Sequence, residues 1–180
     1  MYRNICFIGL PYSGKTRFGN SISKTLRKGF IDTDKMIEYK NGGRKLRDII
    51  QQTSERQFLQ LENDVIQSIH CDNNIISTGG SSVYGKCAMK HLQNNLSCHM
   101  IHLYISFDEF IRRAKCFEQR GVINPNQLGM LDFYEDRIQK YETYCDTRID
   151  VSNKKITMKD ILYQIDDIND IKNGTNDYSI

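Results

Sequence analysis

A chain of 180 residues, 39% apolar and 26% charged, has the length of one folded domain and the composition of a globular protein. A net charge of +3, with lysines and arginines scattered along the chain, gives no electrostatic case for nucleic acid as a partner. No apolar run reaches membrane-spanning length, and apolar residues begin almost at the N-terminus, so neither a membrane span nor a signal peptide is expected. The six cysteines are widely spaced and form no C-x-x-C pair, which reads as free thiols, several of them buried, in a reducing, cytoplasmic setting. The four histidines form no spaced set with them, so zinc has little support.

The first element is an apolar run, Ile5-Cys6-Phe7-Ile8, which reads as a short buried strand. It exits through Gly9-Leu10-Pro11-Tyr12-Ser13-Gly14-Lys15-Thr16, a full match to G-x-x-x-x-G-K-[ST], and enters a helical stretch with Phe18 and Ile22 on one face. Such a loop wraps a polyphosphate with backbone N–H groups at the positive end of a helix. Lys15 would reach the β- and γ-phosphates, and Thr16 would offer its hydroxyl to Mg²⁺. An ordinary turn before an ordinary helix is the plain alternative.

Next comes Gly29-Phe30-Ile31-Asp32-Thr33-Asp34, a short strand ending in two carboxylates, at the end of a strand where ligands bind in open α/β sheets. Continued strand geometry would point Asp32 and Asp34 the same way, one toward the water shell of a Mg²⁺ ion and one toward an attacking hydroxyl. The plain reading makes Asp34 the N-cap of a helix through Met36 and Tyr39.

Residues 44–72 read as helical. Leu46, Ile49 and Ile50 form a patch, Thr53 or Ser54 caps a second helix, and Phe58, Leu61, Val65, Ile66 and Ile69 form its stripe. Glu55 and Glu62 on that helix read as solvated surface residues. Asn74–Ser77 reads as a strand followed by Thr78-Gly79-Gly80, where paired glycines admit a ligand close to the backbone; a tight turn would look the same. A helix near 85–94 leads to the strand His99–Ile105, with His99 and His102 read as core or edge residues. The helix Asp108–Phe117 carries Arg112 and Arg113. From Glu118 to Met130 the helical period stops, and this polar, glycine-bearing segment reads as a lid that brings Arg120 onto a transferring phosphate. Then follow a helix, Leu131–Tyr144, with Arg137, Tyr141 and Tyr144, a strand, Arg148–Val151, and a helix, Met158–Ile168. A polar tail, 169–180, is expected to fray. The alternation implies an α/β fold in one domain, 1–168: a five-stranded, mostly parallel sheet with helices on both faces.

With these residues in place, the chain resembles the shikimate kinase family of P-loop kinases, from about residue 4 to 168. The matching segments are GLPYSGKT, FIDTD, SERQFLQLE, STGG, RGVI and DRIQKYETY, in the family's order. The resemblance implies a cytoplasmic, monomeric enzyme that moves the γ-phosphoryl of ATP to a hydroxyl of a small polyol acid, with Mg²⁺. In it Lys15 and Arg120 supply cations, Thr16 ligates Mg²⁺, and Asp32 and Ser77 act through the ion's waters. Asp34 contacts the acceptor hydroxyl, Gly79 and Gly80 present backbone, Arg137 pairs with the acceptor carboxylate, and Arg113 lies against adenine. Three departures stand out. Leu59 occupies the position of an arginine that helps hold the acceptor carboxylate, Ser81 replaces the third glycine of a triple, and Gly121 replaces a lid proline. Losing one of two charged partners of a carboxylate costs a few kcal/mol, on the order of a hundredfold in affinity. The departures leave two rivals to shikimate phosphorylation: a P-loop kinase for another acceptor, such as a sugar acid or nucleotide, and a nucleotide-binding regulatory protein without turnover.

Overall fold

The computed structural model describes residues 2–114, 122–125, 127–153 and 155–173, with the side chains of the last helix described through residue 165. Arg120, Gly121 and the end of the polar tail therefore lie outside the described residues. Among the described residues, five strands form one sheet: β1 (Asn4–Ile8), β2 (Gly29–Asp32), β3 (Asn74–Ser77), β4 (Cys98–Tyr104) and β5 (Thr147–Asp150). Their order is β2-β3-β1-β4-β5, and each of the four pairings is parallel, where the alternation by itself allows a mixed sheet.

β1 is the centre. All its residues are buried, as are all but the last of β4, so both faces of the sheet are covered. A strand covered on both sides reads as a continuous apolar run, which is why Ile5–Ile8 lacks alternation. The strand order runs one way from β1 to β3 and the other way from β1 to β4. The crevice beyond the carboxyl end of β1 is thus the place where this kind of sheet binds ligands. At the opposite end, the buried Asn4 side chain donates to Leu96 O (2.7 Å) and Cys71 O (3.1 Å) and accepts from Asn74 N (2.9 Å). One polar residue thereby satisfies three strand-end backbone groups that burial would otherwise orphan.

α1 (Lys15–Thr25) lies over β2 and β3, with α8 (Met158–Asn173) against it. α8 runs through Asn173, past the point where the polar composition predicts fraying. A second, smaller core sits apart from the sheet. α2 (Thr33–Lys40), α3 (Leu46–Gln52) and α4 (Glu55–Gln67) enclose Ile37, Ile49, Phe58 and Val65, and Ile123 from the segment before α7 (Met130–Tyr144) plugs into them. Ser54 opens α4 with a reciprocal capping box to Gln57. α5 (Lys86–Lys90), which ends in a turn through Asn95, follows β3, and α6 (Phe107–Arg113) follows β4.

The two kinds of stabilisation differ in size. Replacing Ile101, fully buried on β4, by alanine is expected to cost about 2–5 kcal/mol, and Ser54→Ala about 1 kcal/mol. Urea unfolding of both variants checks the ranking, and equal losses would contradict a core centred on the sheet.

Candidate active site

A cleft of about 270 Å³ opens between the carboxyl end of β1 and the small α2–α4 core. Pro11, Tyr12, Gly14, Lys15 and Thr16 line one side. Asp34, Gly79, Gly80, Ser81 and Arg137 line the other, with an apolar wall of Leu46, Ile50, Phe58, Val122 and Ile123.

The first side follows from how α1 begins. Its N-cap is Gly14, held at φ 94°, a left-handed conformation that a side chain would strain. Among the described residues no side chain caps the helix, and its first turn holds no acid. Its leading N–H groups and positive dipole end are therefore presented to the cleft. Tyr12, also left-handed at φ 69°, completes the turn. Lys15 is buried and folds back on the loop, donating to Gly9 O (2.8 Å) and Leu10 O (2.9 Å). The Ser13 hydroxyl is buried without a partner among the described residues. Thr16 Oγ1 donates to Asp32 Oδ2 at 2.7 Å.

Asp32, not Asp34, is the N-cap of α2: its Oδ1 accepts from Lys35 N at 3.1 Å. The strand ends there, so the expected shared direction of Asp32 and Asp34 does not arise. Asp32 turns to Thr16, while Asp34, in the first turn of α2, faces the cleft. Ser77, buried at the end of β3, pairs in register with Asp32.

Glu62 departs furthest from the sequence expectation of a solvated surface residue. It is 1% exposed and accepts from Ser81 Oγ at 2.7 Å through Oε2, while Oε1 has no hydrogen-bond partner among the described residues. A Cβ on Gly79 would stand 2.1 Å from Glu62 Oε1 and 2.7 Å from Asp34 Oδ1. The glycine is therefore required because two carboxyl groups converge on it. Burial, and then the charge of Asp34, push the Glu62 carboxyl up to about 8, against opposing contributions from the Ser81 bond, Arg137 and Lys15. At neutral pH the Glu62 side chain is mainly a neutral acid. The signal is present in the sequence: Glu62 falls four residues after Phe58 and three before Val65, inside the apolar stripe. Glu55, by contrast, is exposed as expected, and it accepts from Asn124 N at 3.0 Å.

Arg137 is 1% exposed, an unusual position for a guanidinium. Its Nη2 donates to Ile123 O (2.5 Å), and its charge lies over the rings of Phe133 (4.4 Å) and Tyr84 (5.5 Å). Its Nε has no hydrogen-bond partner among the described residues. Gly80 fits between Pro11 and Arg137, where an added Cβ would come within 2.9 Å of both, and Tyr141 donates its hydroxyl to Gly80 O at 2.6 Å.

Of the residues singled out from sequence, the structure brings Pro11, Tyr12, Gly14, Lys15, Thr16, Asp34, Gly79, Gly80 and Arg137 to one cleft. Gly9, Leu10, Ser13, Asp32 and Ser77 stand behind it. Leu59 is half-buried and packs with the apolar residues of α2 and α3, and Phe58 rather than Leu59 lines the cleft. Arg113 is braced by Glu109 Oε1 (2.5 Å), Tyr12 O (3.1 Å) and Val151 O (2.8 Å), so it buttresses the phosphate loop from outside the cleft lining. Leu46, Ile50 and Phe58 carry no functional signal in the sequence, because an apolar wall there has the same periodicity as core, whereas Val122 and Ile123 fall in the segment read as a lid.

A parallel sheet that delivers an uncapped glycine-loop helix to one wall of a cleft and an arginine to the other is the build of a P-loop kinase. A sequence model of shikimate kinase matches residues 11–167. A shikimate kinase of Clostridium botulinum (strain 657) is 33% identical over 144 residues, covering 77% of this chain and 82% of the relative. Another, from the Okra strain, is 32% identical over 162 residues, covering 85% and 93%. The chain belongs to the shikimate kinase family, ATP-dependent phosphotransferases that act on a hydroxyl group. Among solved structures, shikimate kinase from Acinetobacter baumannii, in complex with shikimate, shares the fold. Its TM-score is 0.76 at 19% identity, with 98% of this chain and 96% of that one covered. A gluconokinase from Sinorhizobium meliloti is similar at a TM-score of 0.52 and 12% identity, over 90% of this chain and 88% of that one.

The state of Glu62 has a measurable consequence. Its ordinary value is 4.5 and its folded value about 8, so between these the native chain holds a proton that the unfolded chain has released. Stability from this group is therefore lost as pH rises from about 4.5 through 8. Glu62→Gln, which keeps the neutral shape, is expected to flatten that fall. Thermal midpoints of both proteins at pH 5, 6, 7 and 8 check it, and parallel curves would refute a protonated Glu62.

Proposed function

We propose that this enzyme transfers the γ-phosphoryl group of ATP to a hydroxyl of shikimate or a closely related hydroxy acid. What supports the acceptor is Arg137: a buried guanidinium whose Nε has no partner among the described residues, in the same cleft as Asp34 and the phosphate loop. That combination suits a small molecule bearing both a carboxylate and a hydroxyl.

The phosphoryl transition state spreads charge over its oxygens, so the protein's task is to place cations and align the attacking hydroxyl. The leading N–H groups of α1 take the phosphate oxygens, and Lys15 leaves the Gly9 and Leu10 carbonyls to reach them. Arg120, from the lid segment, adds a second cation, and Arg113 steadies the loop beside the adenine. The hydroxyl and carboxylate oxygens of Thr16, Asp32 and Ser77 are the hard donors that Mg²⁺ prefers, and that ion, when bound, neutralises charge on the β- and γ-phosphates. Asp34 orients the acceptor hydroxyl and receives its proton. Gly79 and Gly80 bring backbone against the acceptor, and Arg137 holds its carboxylate. The apolar wall of Leu46, Ile50, Phe58, Val122 and Ile123 excludes water from the transfer. Leu59 leaves Arg137 as the carboxylate's charged partner on this side.

The experiment is an ADP-release assay over shikimate, gluconate and nucleoside monophosphates. Shikimate-stimulated turnover is expected. Turnover only with gluconate or a nucleotide would move the acceptor assignment, and ATP binding without turnover on any of them would favour the regulatory reading. Lys15→Ala is expected to lower kcat at least about a hundredfold with the thermal midpoint retained. Asp34→Asn is expected to lower kcat about 10²–10⁴-fold. Undiminished kcat in either variant would remove that residue from the chemistry.

A further inference from the structure

The spacing of histidines and cysteines along the chain gives zinc little support, but the fold joins residues that the sequence separates. His102 is fully buried on β4; Glu142 lies in the last turn of α7, and Cys145 is the residue that ends that helix. The spacing of Glu142 and Cys145, three residues apart, puts both side chains on one helix face, and that face meets β4. His102 Nδ1 is 3.3 Å from Glu142 Oε1, and Cys145 Sγ is 3.8 Å from Glu142 Oε2. Candidate donor atoms of all three lie within 4.8 Å of one another.

Those separations approach the ones around a tetrahedral ion, and small side-chain rotations would bring the donor atoms in to them. With metal–nitrogen and metal–oxygen bonds of about 2.0–2.2 Å and a metal–sulfur bond of about 2.3 Å, ligand atoms stand roughly 3.3–3.7 Å apart. An imidazole, a carboxylate and a thiolate form a borderline-soft set that favours Zn²⁺ over Mg²⁺. Glu142 and Cys145 are half-exposed, which leaves a path for the ion and room for a water as fourth ligand. Arg148 Nη1 lies 3.4 Å from Glu142 Oε1, while its guanidinium stacks 3.7 Å over Tyr104. The stacking gives Arg148 a place to stay when a cation takes the carboxylate.

We propose that His102, Glu142 and Cys145 form a three-ligand site for Zn²⁺ that staples the end of α7 to β4. The site is separate from the Mg²⁺ donors proposed at Thr16 and Asp32. His102 packs beside Gly9, where the phosphate loop starts, and against Tyr141, whose hydroxyl holds Gly80. α7 also carries Arg137. An ion at its end fixes the helix that places the acceptor's arginine.

The test uses the full chain, stripped by a chelator and free of nucleotide, in a background of Cys87→Ser and Cys116→Ser. Titration with Co²⁺, a spectroscopic stand-in for Zn²⁺, is expected to show one ion per chain. A near-ultraviolet thiolate charge-transfer band, the visible absorption of a tetrahedral site and a raised thermal midpoint should accompany it, and Zn²⁺ should displace it. Cys145→Ser should abolish the charge-transfer band, and Glu142→Gln should weaken binding at least about tenfold. Both residues are half-exposed, so the variants are expected to fold, whereas His102 is left intact because its burial makes loss of fold the first effect of replacing it. Failure to bind one ion per chain, a band that survives Cys145→Ser, or unchanged affinity in Glu142→Gln would overturn the proposal.

Discussion

The start of α1 is the constraint on which the rest of the molecule depends. A helix leaves its first N–H groups without intrahelical partners, and most helices settle them with a side-chain cap. Here Gly14 supplies none. The uncapped end is stable because β1, buried on both faces, holds it at the point where the strand order reverses. Lys15 is folded onto the carbonyls of Gly9 and Leu10, within its own loop. Thr16 is held toward Asp32, and Arg113 grips Tyr12 O from outside. Each of these contacts positions polar groups around a gap shaped for anionic oxygen.

Across the cleft the organising feature is the lack of a side chain at Gly79. Glu62 and Asp34 approach the same point, and two ionised carboxylates there would repel. Protonation of Glu62 relieves the repulsion, and the Ser81 hydroxyl satisfies one of its oxygens. Ser81 and Leu59 are separate departures from the family pattern when read along the chain. In space Ser81 is the hydrogen-bond partner of Glu62, whereas Leu59 joins the small apolar core with Met36, Leu46 and Ile50. Ser81 thus enters the polar network around Gly79, and Leu59 lies in the apolar core outside it.

The small core also explains how the cleft acquires its second wall. Ile123 inserts among Ile37, Ile49, Phe58 and Val65, its carbonyl receives Arg137, and the neighbouring Asn124 N–H reaches Glu55. The segment leading into α7 is therefore tied to α4 and to Arg137 together. α2–α4 and this segment are joined by the packing of Ile123 and by the hydrogen bond from Asn124 N to Glu55.

Much is legible from the chain alone, because the relevant signals are local. The phosphate loop is a contiguous motif between an apolar run and a helix, the start of α4 is narrowed to Thr53 or Ser54, and the doubly covered strand β1 reads as a continuous apolar run. The sequence by itself therefore determined the α/β alternation and the phosphate loop with Lys15 and Thr16, and it singled out Asp34, Gly79, Gly80 and Arg137, which the fold brings to one cleft. Only the tertiary structure decided that Asp32 is the helix cap, since a strand's last residue depends on its neighbours' pairing. It alone showed that Glu62 is buried, because burial of a glutamate requires an opposing surface, here Gly79 and Ser81, that lies far away along the chain. The meeting of His102 with Glu142 and Cys145 has the same origin: β4 and α7 are brought together by packing, and no periodicity within either segment encodes the partner that the other supplies.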